Sequence, residues 1–141
     1  MIKPRGWGGD TSKGRILSNG QFVLYVNATN SCINVSSDNK GTNAVSANSS
    51  IALGTSYIVA ITRKASDHTT NIYINGVLSG TADQDSGAPA TGSATVIGNN
   101  SATSPTAGFD GDIDDIIPYN KILTATQLTQ VYKNLKAEWG L

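Results

Sequence analysis

Charge is scarce in this chain. Only 14% of its 141 residues are Asp, Glu, Lys or Arg, against about a quarter in ordinary globular domains. Ten basic side chains balance ten acidic ones, leaving a formal net charge of zero. Contact with nucleic-acid phosphates needs a clustered excess of Lys and Arg, and adhesion to an anionic membrane needs a polybasic patch. The balance argues against both, so neither partner is expected. Glutamate occurs once, at Glu138, and the other nine acids are Asp. Long helices laced with Glu and Lys are thereby excluded from most of the chain. A single cysteine, Cys32, allows no internal disulfide. It sits in an apolar, strand-like run, where a small buried thiol is expected rather than a nucleophile. No apolar run reaches the ~18 residues of a membrane-spanning helix. The stretch Met1 to Trp7 lacks an apolar core of signal-peptide length. The length fits one domain over residues 1–141.

Short polar residues are abundant instead: 13 Asn, 15 Ser and 15 Thr. Two Asn-Gly pairs punctuate the chain. Asn19-Gly20 separates Arg15–Ser18 from Gln21–Asn27, and Asn75-Gly76 separates Thr70–Ile74 from Val77–Thr81. A type I′ turn demands positive φ at both central residues, which Asn and Gly tolerate best, so both pairs predict hairpins. Ser31–Val35 reads as a further strand. Tyr57–Arg63 is β-branched and apolar at successive positions, which predicts a strand in the middle of a sheet. Ala94–Ile97 and Phe109–Tyr119 complete the strands. In the latter, Ile113 and Ile116 break the two-residue period and Pro118 lacks a donor, so a bulge near Asp114-Asp115 or a bend is expected. Residues 38–50, 83–93 and 99–108 read as loops.

One helix is signalled, over about residues 124–139. Thr124 and Gln127 have the spacing of a capping box, with Leu123 and Leu128 placed for a hydrophobic staple. Leu128, Val131, Tyr132, Leu135 and Trp139 form one apolar stripe, and Gly140 suits the terminating position. The stripe must bury against a sheet, and Trp139 is expected in the core. The fold class that follows is all-β, an antiparallel jelly-roll sandwich with one C-terminal helix.

Several segments, in this order, resemble one family. Tyr57–Arg63 followed by Asn71-Ile-Tyr-Ile-Asn-Gly-Val-Leu78 is similar to adjoining strands of the concanavalin A-like, laminin G-like jelly roll. Ala94-Thr-Val-Ile-Gly98 resembles a later strand. Phe109-Asp-Gly-Asp-Ile-Asp-Asp-Ile-Ile-Pro-Tyr-Asn120 resembles the Phe-x-Gly-x-Ile-Asp-Asp element, and Ile122–Leu128 its closing tail. Ile2-Lys-Pro-Arg-Gly-Trp-Gly8 and Gly14-Arg-Ile-Leu-Ser18 resemble its early strands. The resemblance implies a concanavalin A-like fold, of a type common in phage particles and in secreted bacterial and marine proteins. It implies lectin-like binding of carbohydrate or a surface glycan, outside a cell or on a virion, without catalysis. A structural domain of a virion or larger extracellular protein is the alternative, and a glycoside hydrolase a remote one. The family places one or more strands ahead of the Ile2-Lys-Pro segment. Their absence would leave an open sheet edge that a second copy would cover, so a homo-oligomer is expected.

Candidate site residues follow from the chemistry of sugar recognition. An aromatic face stacks on C–H surfaces, while Asn and Asp bind hydroxyls. Trp7, flanked by glycines, is the candidate platform, with Asp10, Asn99 and Asn100 as polar partners. The resemblance also implies Ca²⁺ at the sandwich rim, for which Asp110 and Asp112 are the candidate ligands, helped by Asn99 or Asn100. Catalysis would require paired carboxylates. Asp112 and Asp114 would share a face of a regular strand, but turn, bulge and edge roles are expected for Asp110, Asp112, Asp114 and Asp115, and no enzyme is expected. His68, the only histidine, falls in a predicted loop, where an exposed role is expected.

Overall fold

The computed structural model describes residues 1–9, 13–19, 22–37, 42–64, 66–84, 94–101 and 106–141. Its strands are β1 (Ile2–Pro4), β2 (Arg15–Ser18), β3 (Phe22–Asn27), β4 (Cys32–Ser37), β5 (Ala44–Val45), β6 (Val59–Arg63), β7 (Thr69–Ile74), β8 (Val77–Asp83), β9 (Val96–Ile97) and β10 (Gly111–Ile113), followed by helix α1 (Ala125–Trp139). One sheet has the order β5-β4-β3-β2-β9 and a second the order β6-β7-β8, while β1 pairs with β10. Ile2 also bridges Tyr57 just ahead of β6. Every pair of named strands is antiparallel.

Strand alternation sorts the side chains into layers. Val26, Ile33 and Val35 from the first sheet meet Ile72 from the second, with Ile2, Ile16, Ala44 and Ile51 around them. Tyr73 and Ala60 face the other way and pack under Leu123, Leu128 and Val131 of the helical segment. The second sheet is therefore covered on both faces, by the first sheet inside and by α1 outside. Thr124 and Gln127 form the reciprocal capping box, and Gly140 ends the helix in the left-handed conformation at φ 65°. Both staple leucines are buried.

The Asn75-Gly76 hairpin has φ of 52° and 78° at its two residues, as a type I′ turn requires. Its backbone lies against α1. A Cβ added to Gly76 would stand 3.0 Å from the Cβ of Tyr132. The Arg15–Ser18 and Phe22–Asn27 hairpin also forms, with Ser18 opposite Val23. The tip at Gly20 and Gln21 lies outside the described residues.

Gln84 joins the two sheets. It is 0% exposed, and its amide nitrogen donates to the carbonyls of Val35 (2.7 Å) and Thr42 (3.3 Å). Its amide oxygen accepts the Thr70 hydroxyl at 2.7 Å. The strands β5 and β8 close one side of the sandwich, where Ala47 N–H donates to the Ser79 carbonyl at 2.8 Å.

Several expectations are corrected. Strand β6 lies at the edge of its sheet rather than in the middle. Its apolar character comes from two covered faces, and covered faces say nothing about how many neighbours a strand has. A short strand, β5, interrupts the predicted loop 38–50. Only Gly111–Ile113 of the Phe109–Tyr119 run forms a strand. Both Asp114 and Asp115 then hydrogen-bond with Met1, at 3.1 and 2.9 Å. Two residues facing one is the geometry of the expected bulge. Beyond it, Ile116, Ile117, Tyr119 and Ile122 are exposed. Trp139 and Leu135 are half-buried rather than core, because they line an open groove. His68 is half-buried too, in a left-handed turn at φ 55°. The predicted loop 83–93 is described only as far as Gln84.

That groove, about 600 Å³ in volume, runs between β6 and residues 115–122, with Val131, Leu135 and Trp139 of α1 along it. Just ahead of β6, Ile58 bonds toward the Asn75 side and Tyr57 toward Ile2. Alternation then points the amides and carbonyls of Val59 and Ile61 into the groove, where no backbone partner meets them among the described residues.

Two stability predictions follow, each measurable by urea unfolding of the purified chain. Gln84→Leu strands two buried carbonyls and a hydroxyl, and is expected to cost ~1–3 kcal/mol. Gly76→Ala meets a left-handed turn and the Tyr132 side chain together, and is expected to cost at least ~1 kcal/mol. A loss below ~0.5 kcal/mol in either variant would remove the corresponding contact from the account.

Candidate functional site

Backbone geometry brings three segments to one rim. Arg5 and Gly6 donate to the Asp110 carbonyl at 2.8 and 3.1 Å, and Gly14 donates to the Trp7 carbonyl at 2.8 Å. Phe109 donates to the Gly98 carbonyl at 2.8 Å, and Arg15 to that of Ala107 at 3.0 Å. Residues 106–110 therefore lie between the Trp7 loop and the Asn99-Asn100 turn. Gly8, at φ 65°, permits the close approach: a Cβ there would fall 2.2 Å from the Gly108 carbonyl oxygen.

Trp7 packs against the sandwich core and keeps part of its surface at the rim. The two asparagines brace the loop. Asn99 Oδ1 accepts from the backbone of Asn100 (2.8 Å) and Ala107 (3.2 Å). Asn100 donates to the Thr106 hydroxyl at 3.0 Å and accepts from the Thr106 and Ala107 amides. Asp10 lies outside the described residues.

The candidate metal ligands are separated by their partners. Asp112 binds the Arg5 guanidinium, with Nη2 to Oδ2 at 2.8 Å and Nε to the same oxygen at 3.2 Å. That hydrogen bond holds the Arg5 pKa above its ordinary value. Both side chains are largely solvent-exposed, at 64% and 42%, so the pair contributes little to stability. Asp110 presents its carboxylate beside Gly6. Calcium needs six to eight convergent oxygens. Here a cation already sits on Asp112, and the Oδ1 atoms of Asn99 and Asn100 accept backbone N–H bonds. No group of three His, Cys, Asp or Glu residues with metal-binding geometry occurs among the described residues. These residues do not fit a Ca²⁺ ion.

Elsewhere, Cys32 is fully buried and donates to Asn34 Oδ1 at 3.1 Å. Burial pushes its pKa up, the reverse of an activated thiol. Burial likewise lowers the Met1 ammonium, outweighing the attraction of Asp114 and Asp115.

A second polar feature is absent from the sequence-derived candidates. On the outer face of the first sheet, Lys13, Arg15, Val23, Tyr25, Ser36 and Asn43 line a pocket of about 170 Å³. The ladder assembles it, with Arg15 opposite Tyr25, and Tyr25 and Val23 opposite Asn34 and Ser36. The alternation of β3 could have placed Val23 and Tyr25 on the outer face. Register alone adds the residues from β2 and β4.

A family model described as the concanavalin A-like lectin/glucanases superfamily matches residues 2–129. No curated protein matches the chain significantly. Among solved structures, the chain is similar to a native heptameric SAP-like pentraxin from Limulus polyphemus, with 20% identity and a TM-score of 0.63. That likeness covers 93% of this chain and 66% of the pentraxin chain, just under two thirds of its length. At such identity the likeness speaks to architecture: a sandwich of antiparallel sheets, here closed by a C-terminal helix. With the family model spanning all ten named strands, the chain belongs to the concanavalin A-like lectin/glucanase superfamily.

Proposed function

We propose that the protein is a non-catalytic recognition module that binds carbohydrate at the rim, outside a cell or on a virion. One observation carries the reading: the Trp7 loop and the Asn99-Asn100 turn are fastened to residues 106–110 by short backbone bonds, so the rim is ordered before a ligand arrives. A preordered surface forfeits little entropy on binding. Trp7 supplies an aromatic face, and the neighbouring Asp110 an exposed acceptor for hydroxyls. Superfamily membership is consistent with lectin-like binding, and the superfamily's glucanases keep hydrolysis as a lesser alternative. Hydrolysis would call for two cooperating carboxyl groups, and Asp112 is engaged by Arg5.

The open groove favours a second reading, that of an assembly domain in a virion or larger extracellular protein. Its occupant in this reading is a second copy, making the protein a homo-oligomer. Ile116, Ile117 and Ile122 on its lip are 39%, 49% and 50% exposed. With the β6 edge, they give each copy an apolar wall and an unpaired ladder. Behind that lip the groove floor is apolar, with Ile16, Leu24 and Ile58 along it.

Two measurements test these readings. On a glycan array the chain is expected to bind at least one saccharide, with EDTA leaving the signal intact. Trp7→Phe, which keeps the packing but shrinks the platform, is expected to weaken that signal several-fold. Absence of any bound glycan would remove the rim reading. In sedimentation equilibrium at 1–100 μM, a homo-oligomer is expected, with Ile116→Asp/Ile117→Asp returning it to the monomer. A wild-type monomer throughout that range would remove the assembly reading.

A further inference from the structure

The outer-face pocket has chemistry that the rim lacks. Lys13 and Arg15 stand two residues apart and line its cationic side. Among the described residues the ion pairs are Arg5–Asp112 and Lys64–Asp67, so none of the described carboxylates pairs with Lys13 or Arg15. Tyr25 is buried and its hydroxyl accepts from Asn34 Nδ2 at 3.3 Å and Asn43 Nδ2 at 3.2 Å. Both phenolic lone pairs are thus engaged, which leaves the hydroxyl proton to donate. Ser36 and Asn43 add a hydroxyl and an amide carbonyl to the lining, and the buried Val23 closes its floor.

We propose that this pocket binds one residue of an acidic saccharide, with its carboxylate or sulfate on Arg15 and Lys13 and its hydroxyls on Tyr25, Ser36 and Asn43. The guanidinium fork matches a planar carboxylate in two parallel hydrogen bonds, and the Lys13 ammonium adds a point charge. At ~30 Å³ per water, the pocket's 170 Å³ holds about half a dozen waters, the footprint of one sugar ring. A bare anion would use the cations and leave the hydroxyl partners idle. A neutral sugar would leave two cations unanswered. The inference rests on the reading of the protein as a carbohydrate-recognition module, and its site is separate from the rim.

The test is an NMR titration of the full chain, isotopically labelled, with α-1,4-linked trigalacturonate and with its fully methyl-esterified form, which keeps the rings and removes the charge. Trigalacturonate is expected to shift the amides of Arg15, Tyr25 and Ser36, and the ester to bind at least tenfold more weakly. Arg15→Gln and the exposed Lys13→Gln are each expected to weaken binding about tenfold, with melting temperature unchanged. Trp7→Phe is expected to leave it unaltered. Equal binding of the ester, or equal binding of a poly-aspartate peptide, would overturn the proposal, as would indifference to both charge-removing variants. If trigalacturonate fails while other glycans bind in a Trp7-dependent way, this inference falls and the rim reading stands. If no saccharide binds at all, both fall.

Discussion

Strands β6 and β7 carry apolar residues on both faces of their sheet, and covering them twice is the constraint from which the architecture follows. Ile72 points inward and is fully buried against the first sheet. Tyr73, its neighbour in sequence, points outward and is buried beneath α1. Burying side chains of this size is worth ~1.5–3 kcal/mol each. Neither face can be left to water without forfeiting one set. The short polar helix, whose only fully buried residue is Leu128, is held in place by that sheet. The sheet in turn is completed by the helix. The Asn75-Gly76 turn makes the arrangement possible, because it brings backbone rather than side chain against Tyr132.

Cover is uneven along the edges. At one side β5 and β8 close the sandwich, with Gly80 so near Val45 that a Cβ there would lie 2.1 Å from its carbonyl oxygen. At the other side β1 is bridged to the segment ahead of β6 at Ile2 and Tyr57, and the layers part into the groove beside β6. An unpaired ladder over an apolar floor is a surface that natural proteins manage by covering it. The half-buried state of Leu135 and Trp139 has the same origin: their stripe extends past the sheet that α1 packs on.

Polar groups inside the sandwich are spent on the fold, and this shapes where recognition can occur. Gln84 ties the sheets together, and Ser46 accepts the Ile33 amide at 2.8 Å. Asn99 and Asn100 brace the rim rather than project from it. Asp112 answers Arg5. Side chains with unspent capacity are fewer, and Lys13, Arg15 and Tyr25 are among them, gathered on the outer face of the first sheet.

Local chemistry was readable from the residues themselves. Thr124 with Gln127, Leu123 with Leu128 and Gly140 set the helix and its limits, because capping, stapling and termination act within a few residues. Asn75-Gly76 set its hairpin because few other pairs accept two positive φ values. Composition turned the reading away from nucleic acid, and the ordered motifs pointed to the superfamily. Tertiary structure alone decided what depends on distant partners. Tyr57–Arg63 reads as a central strand because it is apolar at successive positions, yet edge position depends on which strand lies alongside. Arg5, remote in sequence, claims Asp112. The pocket of Lys13, Arg15, Tyr25, Ser36 and Asn43 exists only through the register of three strands, and a shift of one residue would turn its side chains to the opposite face.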